Sequence, residues 1–504
     1  MNYIDSFLNR ITMYRLVLYY LIALLGASAL LGLFNVLPYS PLAIGFTVAV
    51  LVVSAWASNL LFAKVWHAVP GSASLYITVL ILALIVTPVA PGDIPGALML
   101  GVIGVWSMAS KYLFAVRGKH IFNPAALAVG LSALFLLHGA SWWVAGNVAL
   151  LPIVLVGGLL IVRKLQRFDL FLSFAVSALA TVALTTHGDP LHAVWTTLLH
   201  SSFFFLAFAM LTEPATMPPT RLMRIAYGII VGIWFAPAMH IGSFYFTPEL
   251  ALLLGNVFVF AVSPKGRLML TLVEKKEIAQ GTYEFLFTPN MRQGFYPGQY
   301  LEWTLPEGKG TDARGNRRYF TIASSPTDSL VRLGVRLTEP LSSFKQSLLA
   351  LTPGTTISAA HISGDFTLPE KPEQKVAFIA GGIGITPFRS MIGYMVDTKQ
   401  QRDTVLLYSN KTGEEVGYYD FFESAKATIP LKTVYALTND TRPFVGTVHG
   451  FIDATLIQRE IPDYKERTFY ISGPRSMVVA FQKTLRELGL PGSHIRTDYF
   501  PGFA

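Results

Sequence analysis

Up to Val262 the chain is built of long, uninterrupted apolar runs, and beyond Lys265 of short alternating ones. The first texture predicts helices that are apolar all round, as a bilayer demands, where a span needs about 17–25 residues or slightly fewer with tilt. Ten such runs are expected, at 13–35, 42–63, 72–90, 95–116, 122–138, 146–163, 169–186, 191–212, 221–239 and 245–262. The stretch "SWWVAG" between the fifth and sixth reads either as an interfacial aromatic belt or as part of a span. The second texture begins with "RLMLTLVEKKEIAQGTYEFLFTP", whose alternation and turn residues predict short strands. From about Lys371, buried strands alternate with helices: "KVAFIA", a helix from Thr386, "TVLLYS", "LKTVYAL", "TFYISG" and a helix from Arg475. That order predicts a parallel α/β sheet. The expected chain is multi-domain, with a polytopic α-helical membrane domain at residues 1–264, a strand-rich domain at 265–370 and an α/β domain at 371–504.

Charge adds an orientation. Through Arg267 there are 13 Lys+Arg against 6 Asp+Glu, a balance of +7, whereas the remainder holds 26 against 24, or +2. Lys64, then Lys111, Arg117 and Lys119, then Arg163, Lys164 and Arg167, then Arg221 and Arg224 fall in or beside alternate connections. Arg10, Arg15, Lys265 and Arg267 mark the two ends. The intervening connections carry Asp93, Asp189, Glu249 and histidines but no Lys or Arg. Because cytoplasmic loops collect basic residues, this predicts an integral protein of the inner or plasma membrane, both ends and the second half cytoplasmic. The basic excess is therefore topological, and no nucleic-acid partner is expected. Hydrophobic residues at 52% and a mean hydropathy of +0.49 agree with a lipid-bilayer partner. The chain has no cysteine, so it supplies no thiolate for an iron–sulfur cluster or zinc site. No metal site is expected.

The clearest local chemistry is "KVAFIAGGIGITPFRSMIGYM", where a buried strand runs into Gly381, Gly382 and Gly384. A helix is expected to start with Thr386 as its cap and Pro387 in its first turn. Glycines admit close backbone approach, and a helix N-terminus offers unpaired N–H groups to a pyrophosphate.

With this loop, "GFYPGQYLEW" from Gly294, "RRYFTIASSP" from Arg317 and "ISGPRSMV" from Ile471 resemble the ferredoxin–NADP reductase family, in the same order and at similar separations, over residues 266–504. The resemblance implies a β-barrel FAD-binding domain at 265–370 and an NAD(P)-binding domain at 371–504. It places the Arg-x-aromatic-hydroxyl motif on Arg318, Tyr319, Phe320 and Thr321, with Arg318 for the FAD pyrophosphate, Phe320 for the isoalloxazine face and Thr321 for the flavin N5 edge. Phe320 stands where tyrosine is common. Ser342 and Ser343 would open a short helix facing the FAD phosphates, and an ordinary capped helix explains them equally well. Gly382, Gly384, Thr386 and Pro387 would cradle the dinucleotide, while Gly473, Pro474 and Met477 match the nicotinamide-side loop. Ser472 replaces a cysteine common there. In the tail "TDYFPGFA", Asp498 and Phe500 would border the meeting of nicotinamide and flavin, so Thr321, Ser472, Asp498 and Phe500 are the catalytic candidates. Ser409, Asn410 and Lys411 lean toward NADPH over NADH, since basic and hydroxyl groups at that strand end favour a 2′-phosphate.

In the apolar half, "GKHIFNPAALAVG" from Gly118 and "FAMLTEPATMPPTRLMRIAYGIIVG" from Phe208 resemble membrane subunits of Rnf-type electron-transport complexes and sodium-pumping NADH:quinone reductase, subunits D and B. Asn123, Pro124, Glu213 and Thr216 are the residues singled out. The threonine-esterified flavin of those subunits needs a Ser/Thr-Gly-Ala-Thr-like sequence that is missing here, so any second flavin would be noncovalent. Glu213 is a candidate for an ion or proton, or an interfacial acid at a helix end.

The expected function is a membrane-bound, FAD-dependent NAD(P)H oxidoreductase passing electrons to a flavin, quinone or protein acceptor, directly or through other subunits, with ion movement as a further option. An alternative is an NADPH oxidase or ferric reductase-like enzyme, which needs paired haem histidines from among His120, His138, His187 and His200. A nonenzymatic alternative is a membrane receptor or transporter with a degenerate flavin domain.

Overall fold

A computed structural model describes residues 4, 7–8, 11–66, 72–116, 119–136, 139–263, 266–292, 294–306, 316–439 and 446–500. Arg10, Arg117, His138, Lys265, the side chain of Phe500 and the tail beyond it lie outside the described parts. The chain divides into two compact units, Met1–Gly266 and Arg267–Ala504.

The first unit is helical: α1 Met13–Leu33, α2 Pro41–Val65, α3 Ser72–Ile85, α4 Ile94–Leu113, α5 Pro124–Leu136, α6 Leu151–Leu165, α7 Phe168–Thr185, α8 Pro190–His200, α9 Arg221–Phe235 and α10 Pro248–Val262. Each falls on one of the ten apolar runs. Four of them, α1, α2, α4 and α7, are long and apolar enough to cross a membrane. A fifth candidate is α8 taken with Phe203–Met210, bent by 62° at Ser201–Ser202. The other runs exceed their helices because parts of them leave helical geometry. "SWWVAG" is such a part: Trp142 and Trp143 are buried in a non-helical turn, their indole N–H groups donating to Glu249 Oε2 (3.2 Å) and Ala83 O (3.1 Å).

Close packing in this unit rests on small residues. On α9, a methyl group at Gly228 would lie 2.9 Å from both Leu170 O and Phe174 N of α7, and one at Gly232 2.7 Å from Phe174 O. Glycines four apart thus let two backbones meet, the usual route to helix association in lipid. At the same seam Arg224 Nε and Nη2 both lie 2.8 Å from Asp169 Oδ2, and Nη1 donates to Pro219 O.

The second unit has two six-stranded sheets. One is antiparallel, from β1 Leu268–Ala279, β2 Thr282–Pro289, β3 Tyr300–Thr304, β4 Arg317–Thr321, β5 Val331–Arg336 and β6 Thr356–Ser363, in spatial order β4-β3-β6-β1-β2-β5. Its ends approach where Ala323 N donates to Arg332 O (2.9 Å). Helix α11, Ser343–Leu349, packs on its apolar face through Phe344 and Leu348. The other sheet is parallel: β7 Val376–Gly381, β8 Thr404–Asn410, β9 Leu431–Leu437, β10 Thr447–His449, β11 Thr468–Pro474 and β12 Ile495–Phe500, in order β10-β9-β8-β7-β11-β12. It is flanked by α12 Thr386–Asp397, α13 Tyr419–Ala425, α14 Ala454–Glu460 and α15 Arg475–Glu487. Strand β7 is buried along its whole length, as a central parallel strand covered on both faces must be.

Arg467 ties the entry ends of three strands, donating to Val376 O, Asp403 O and the carboxylates of Asp403 and Asp463. Arg467, then Lys375, hold the Asp463 carboxyl down at about 2. A depressed folded pKa gives stability that is present above the unfolded value of about 3.9 and lost as pH falls through the folded one. We expect an acid titration followed by circular dichroism to show a loss of stability between about pH 4 and 2. Asp463→Asn should lack that component.

Candidate functional site

The glycine loop is built where β7 ends. Gly382 has φ +52°, a left-handed turn suited to glycine, and Gly382–Ile385 form one tight turn before α12. Gly384 sits against the end of β11: a Cβ there would overlap Ser472 O and lie 2.5 Å from Ser472 C and 2.7 Å from Gly473 Cα. Only glycine fits such a backbone-on-backbone contact. Pro387 lies in the first turn as expected, but Thr386 is not the cap. Residue Ile385 holds the capping position without a side-chain bond, and the Thr386 hydroxyl donates back to Ile383 O (3.2 Å). The reason is that the preceding turn is already wound, so the chain enters α12 with no extended residue to serve as a cap.

Around this loop the parallel register gathers several predicted residues. Ser472 pairs with Ala380 on one side and Asp498 on the other, and Pro474 with Phe500. Met477 approaches Gly381 and Gly473 from the start of α15. Ser472 is fully buried, and its hydroxyl has no hydrogen-bond partner among the described residues. The same holds for the buried Thr412 hydroxyl, just past β8. Ser409 pairs with Gly381, and Asn410 is buried beside it. Lys411 is exposed, and its backbone N–H donates to Glu415 Oε2 (3.3 Å). Glu415 Oε1 accepts from Arg336 Nη2 at 2.7 Å, and Arg336 Nη1 lies 3.4 Å from where a Gly382 Cβ would be. Arg336 and Glu415 were missed by sequence reasoning, since nothing in their spacing links β5 to the loop after β8.

A second group lies on β4 and α11. The Arg318 guanidinium is 5.2 Å from the Phe344 ring centroid, and Phe320 and Phe344 lie 5.6 Å apart. Tyr319 projects outward against Tyr300, and Thr321 is buried opposite Tyr300 in the register. Ser342 caps α11, its hydroxyl accepting from Lys345 N (3.4 Å), and Ser343 is the first helical residue. Thr321 therefore stands on a different sheet from Ser472, Asp498 and Phe500.

The helical unit brings its two motifs together across 90 positions of sequence. Asn123 Nδ2 donates to Glu213 Oε2 at 2.9 Å, Thr216 Oγ1 lies 3.2 Å from the same oxygen, and His120 Nε2 is 3.4 Å from Glu213 Oε1. Asn123 Oδ1 also caps α5, accepting from Ala125 N and Ala126 N, with Pro124 opening the helix. Asn123 N donates to Asn256 Oδ1 (2.8 Å), and Asn256 Nδ2 donates to Tyr227 OH (3.2 Å). Asn256 and Tyr227 carry no local motif and were not foreseen. A cavity of about 50 Å³ adjoins Glu213 and Asn123, with Ser74, Thr78 and Thr212 in its wall.

Comparison with known proteins adds two family matches. Residues 131–264 match the NQR2, RnfD, RnfE family, and residues 378–483 match the oxidoreductase NAD-binding domain. Among curated relatives, a flavohemoprotein of Oceanobacillus iheyensis is 25% identical over 211 residues, covering 41% of this chain and 51% of its own. An NADPH oxidoreductase of Mycobacterium tuberculosis is 29% identical over 201 residues, covering 39% and 50%. A ferredoxin NADP+ reductase structure from Neisseria gonorrhoeae with bound FAD and NADP aligns at 19% identity and a TM-score of 0.41, covering 47% of this chain and 99% of that one. The chain spans about half the length of the curated relatives it matches. The chain thus joins a segment similar to the NQR2, RnfD, RnfE family to a segment similar to the oxidoreductase NAD-binding domain.

Proposed function

We propose that the protein is a membrane-bound, FAD-dependent NAD(P)H oxidoreductase that delivers electrons to an acceptor in or beside its helical unit. The observation that carries this reading is the glycine turn at Gly382–Gly384, seated on Ser472 and Gly473 at the adjoining strand ends. Ligands bind at the carboxyl ends of parallel strands, and a helix N-terminus there favours a pyrophosphate. The orphaned hydroxyls of Ser472 and Thr412 are polar atoms that a dinucleotide can satisfy. Their presence makes the residues fit the group.

FAD fits the second cluster by the chemistry of its donors. Residues 265–370 would form its domain, with the antiparallel sheet closing as a barrel. Arg318 would pair with the pyrophosphate, Phe320 would lie against the ring system, and Thr321 would offer its hydroxyl to the flavin edge. The helix opened by Ser342 and Ser343 would flank the phosphates. Bound FAD would take up a hydride, two electrons with one proton, and release electrons singly. Residues 371–504 would hold NAD(P)H, with Pro474, Met477, Asp498 and Phe500 bordering the nicotinamide and shielding it from water. Ser409, Asn410 and Lys411 favour NADPH, whereas the Glu415 carboxylate beside them favours a free ribose hydroxyl. Cofactor preference is therefore read by titration.

The ten helices would cross the membrane ten times, with both ends and the reductase module cytoplasmic, as the alternating basic connections support. Glu213, held by Asn123 and Thr216, would carry a proton or cation if electron flow drives ion movement. The terminal acceptor would be a quinone, a noncovalent flavin or a partner subunit. The decisive experiment is an absorbance spectrum of the purified protein titrated with NADPH and then NADH. Flavin bleaching without a Soret band is expected. A Soret band would favour haem in the helical unit, and no flavin signal after FAD reconstitution would overturn the proposal.

A further inference from the structure

The residue after the nucleotide turn that makes the strongest connection is Arg389, in the first turn of α12. Its guanidinium is buried and lies 4.6 Å from the Phe421 ring centroid. Nη1 donates to Ala323 O (3.1 Å) and to Asp328 Oδ2 (3.2 Å). The next residue repeats the contact, Ser390 Oγ donating to Ser324 O at 2.6 Å. One turn on, Gly393 leaves room for Ser325, and at the far end of the helix Asp397 accepts from the Thr327 hydroxyl.

Apart from the Phe421 ring, these partners lie in Ala323–Asp328, the segment that leaves β4 two residues after Thr321. The charges continue outward: Asp328 also meets Arg332 Nε at 3.5 Å, and Arg332 Nη1 donates to Glu284 Oε2 at 2.9 Å. One helix therefore carries the glycine turn at its start and is bonded along its length to the strand exit of the flavin motif. Arg389 is the central bond, because its Nη1 alone donates to a backbone carbonyl and a carboxylate at once, each charge-assisted.

We infer that Arg389 is a positioning residue that fixes the distance between nicotinamide and flavin, by locking α12 to the Ala323–Asp328 segment. The inference rests on the functional reading above. Hydride transfer oxidises the nicotinamide at C4 and moves two electrons and a proton to the flavin, and its rate falls steeply with small misplacement. Loss of the bond should thus slow the transfer and leave nucleotide binding, which uses other residues, nearly intact.

The test uses the full-length, FAD-loaded protein in anaerobic stopped-flow, with whichever of NADPH and NADH bleaches the native flavin. For Arg389→Gln the limiting bleaching rate should fall on the order of 10²-fold, with the nucleotide concentration for half-maximal rate little changed. Arg389→Lys, which keeps the charge but not the guanidinium's reach to both acceptors, should fall between the two. Deuterium at the nicotinamide C4 should slow the variant more than the native protein if other steps mask hydride transfer in the latter. A second readout needs no flavin: in the apoprotein, amide hydrogen exchange at residues 322–328 and 386–393 should rise together in Arg389→Gln.

A variant holding full FAD whose limiting rate stays within about twofold of native overturns the inference, as does weakened binding with an unchanged limiting rate. If Arg389→Gln fails to retain FAD, Asp328→Asn carries the test, since it leaves the Ala323 bond in place. Slower bleaching then supports the inference, and native bleaching overturns it. Failure of both nucleotides to bleach the native flavin would overturn the functional reading and this inference with it.

Discussion

Gly384→Ala should slow reduction of the flavin by NAD(P)H on the order of 10²-fold or more while leaving FAD bound. The added methyl meets the backbone of Ser472 and Gly473, which no rotamer change can relieve. Either the turn or the end of β11 has to shift, and overpacking of this kind typically costs about 1–3 kcal/mol. The larger effect is geometric, because the displaced atoms are those that would hold the dinucleotide. A misplacement of about 1 Å is enough to slow a positioned reaction on the order of 10²-fold. Arg318, Phe320 and Phe344 stand on the other sheet, so the variant should purify yellow. Stoichiometric FAD with bleaching slowed by on the order of 10²-fold or more in stopped-flow is the expected result. Bleaching at the native rate would show that the turn at Gly384 is not where the nucleotide rests.

The largest effect expected in the helical unit is on stability. Arg224→Ala strips the partner from Asp169, whose side chain is only 10% exposed, and leaves the Pro219 carbonyl without the guanidinium. Breaking a buried ion pair from one side costs about 3–5 kcal/mol, since the remaining charge stays desolvated. The α7–α9 seam has little slack, given the contacts of Gly228 and Gly232. The variant should show a markedly lower melting temperature in detergent and poor recovery from membranes. Removing both charges with Asp169→Leu and Arg224→Met should restore much of that loss, because a well-packed apolar pair can replace a buried ion pair. Equal damage from the double replacement would argue that the pair specifies the seam beyond its charge balance.

Much of this architecture is legible from pattern alone, for identifiable reasons. Apolar runs mark the helices because every buried turn of a bundle needs them, and the alternation after Arg267 marks strands with one covered face. The glycine loop shows because its geometry excludes side chains at Gly382 and Gly384. Hydropathy fails where an apolar stretch leaves the helix: Trp142 and Trp143 are as apolar as their neighbours, yet their placement is decided by partners at Glu249 and Ala83. The bend at Ser201–Ser202 is likewise invisible to a hydropathy window. In the site, Asn123, Glu213 and Thr216 were legible as two motifs, but their meeting was not. Asn256, Arg336 and Glu415 act through contacts between distant segments, which no local spacing encodes.

The seating of Gly384 also bears on redesign. A contact made by main-chain atoms offers no side chain to trim, so the floor of the proposed nucleotide site behaves as a fixed mould shared by the loop after β7 and the end of β11. If the nucleotide rests there as proposed, attempts to exchange one nicotinamide cofactor for the other would act at its rim, where Ser409, Asn410 and Lys411 meet Glu415 and Arg336.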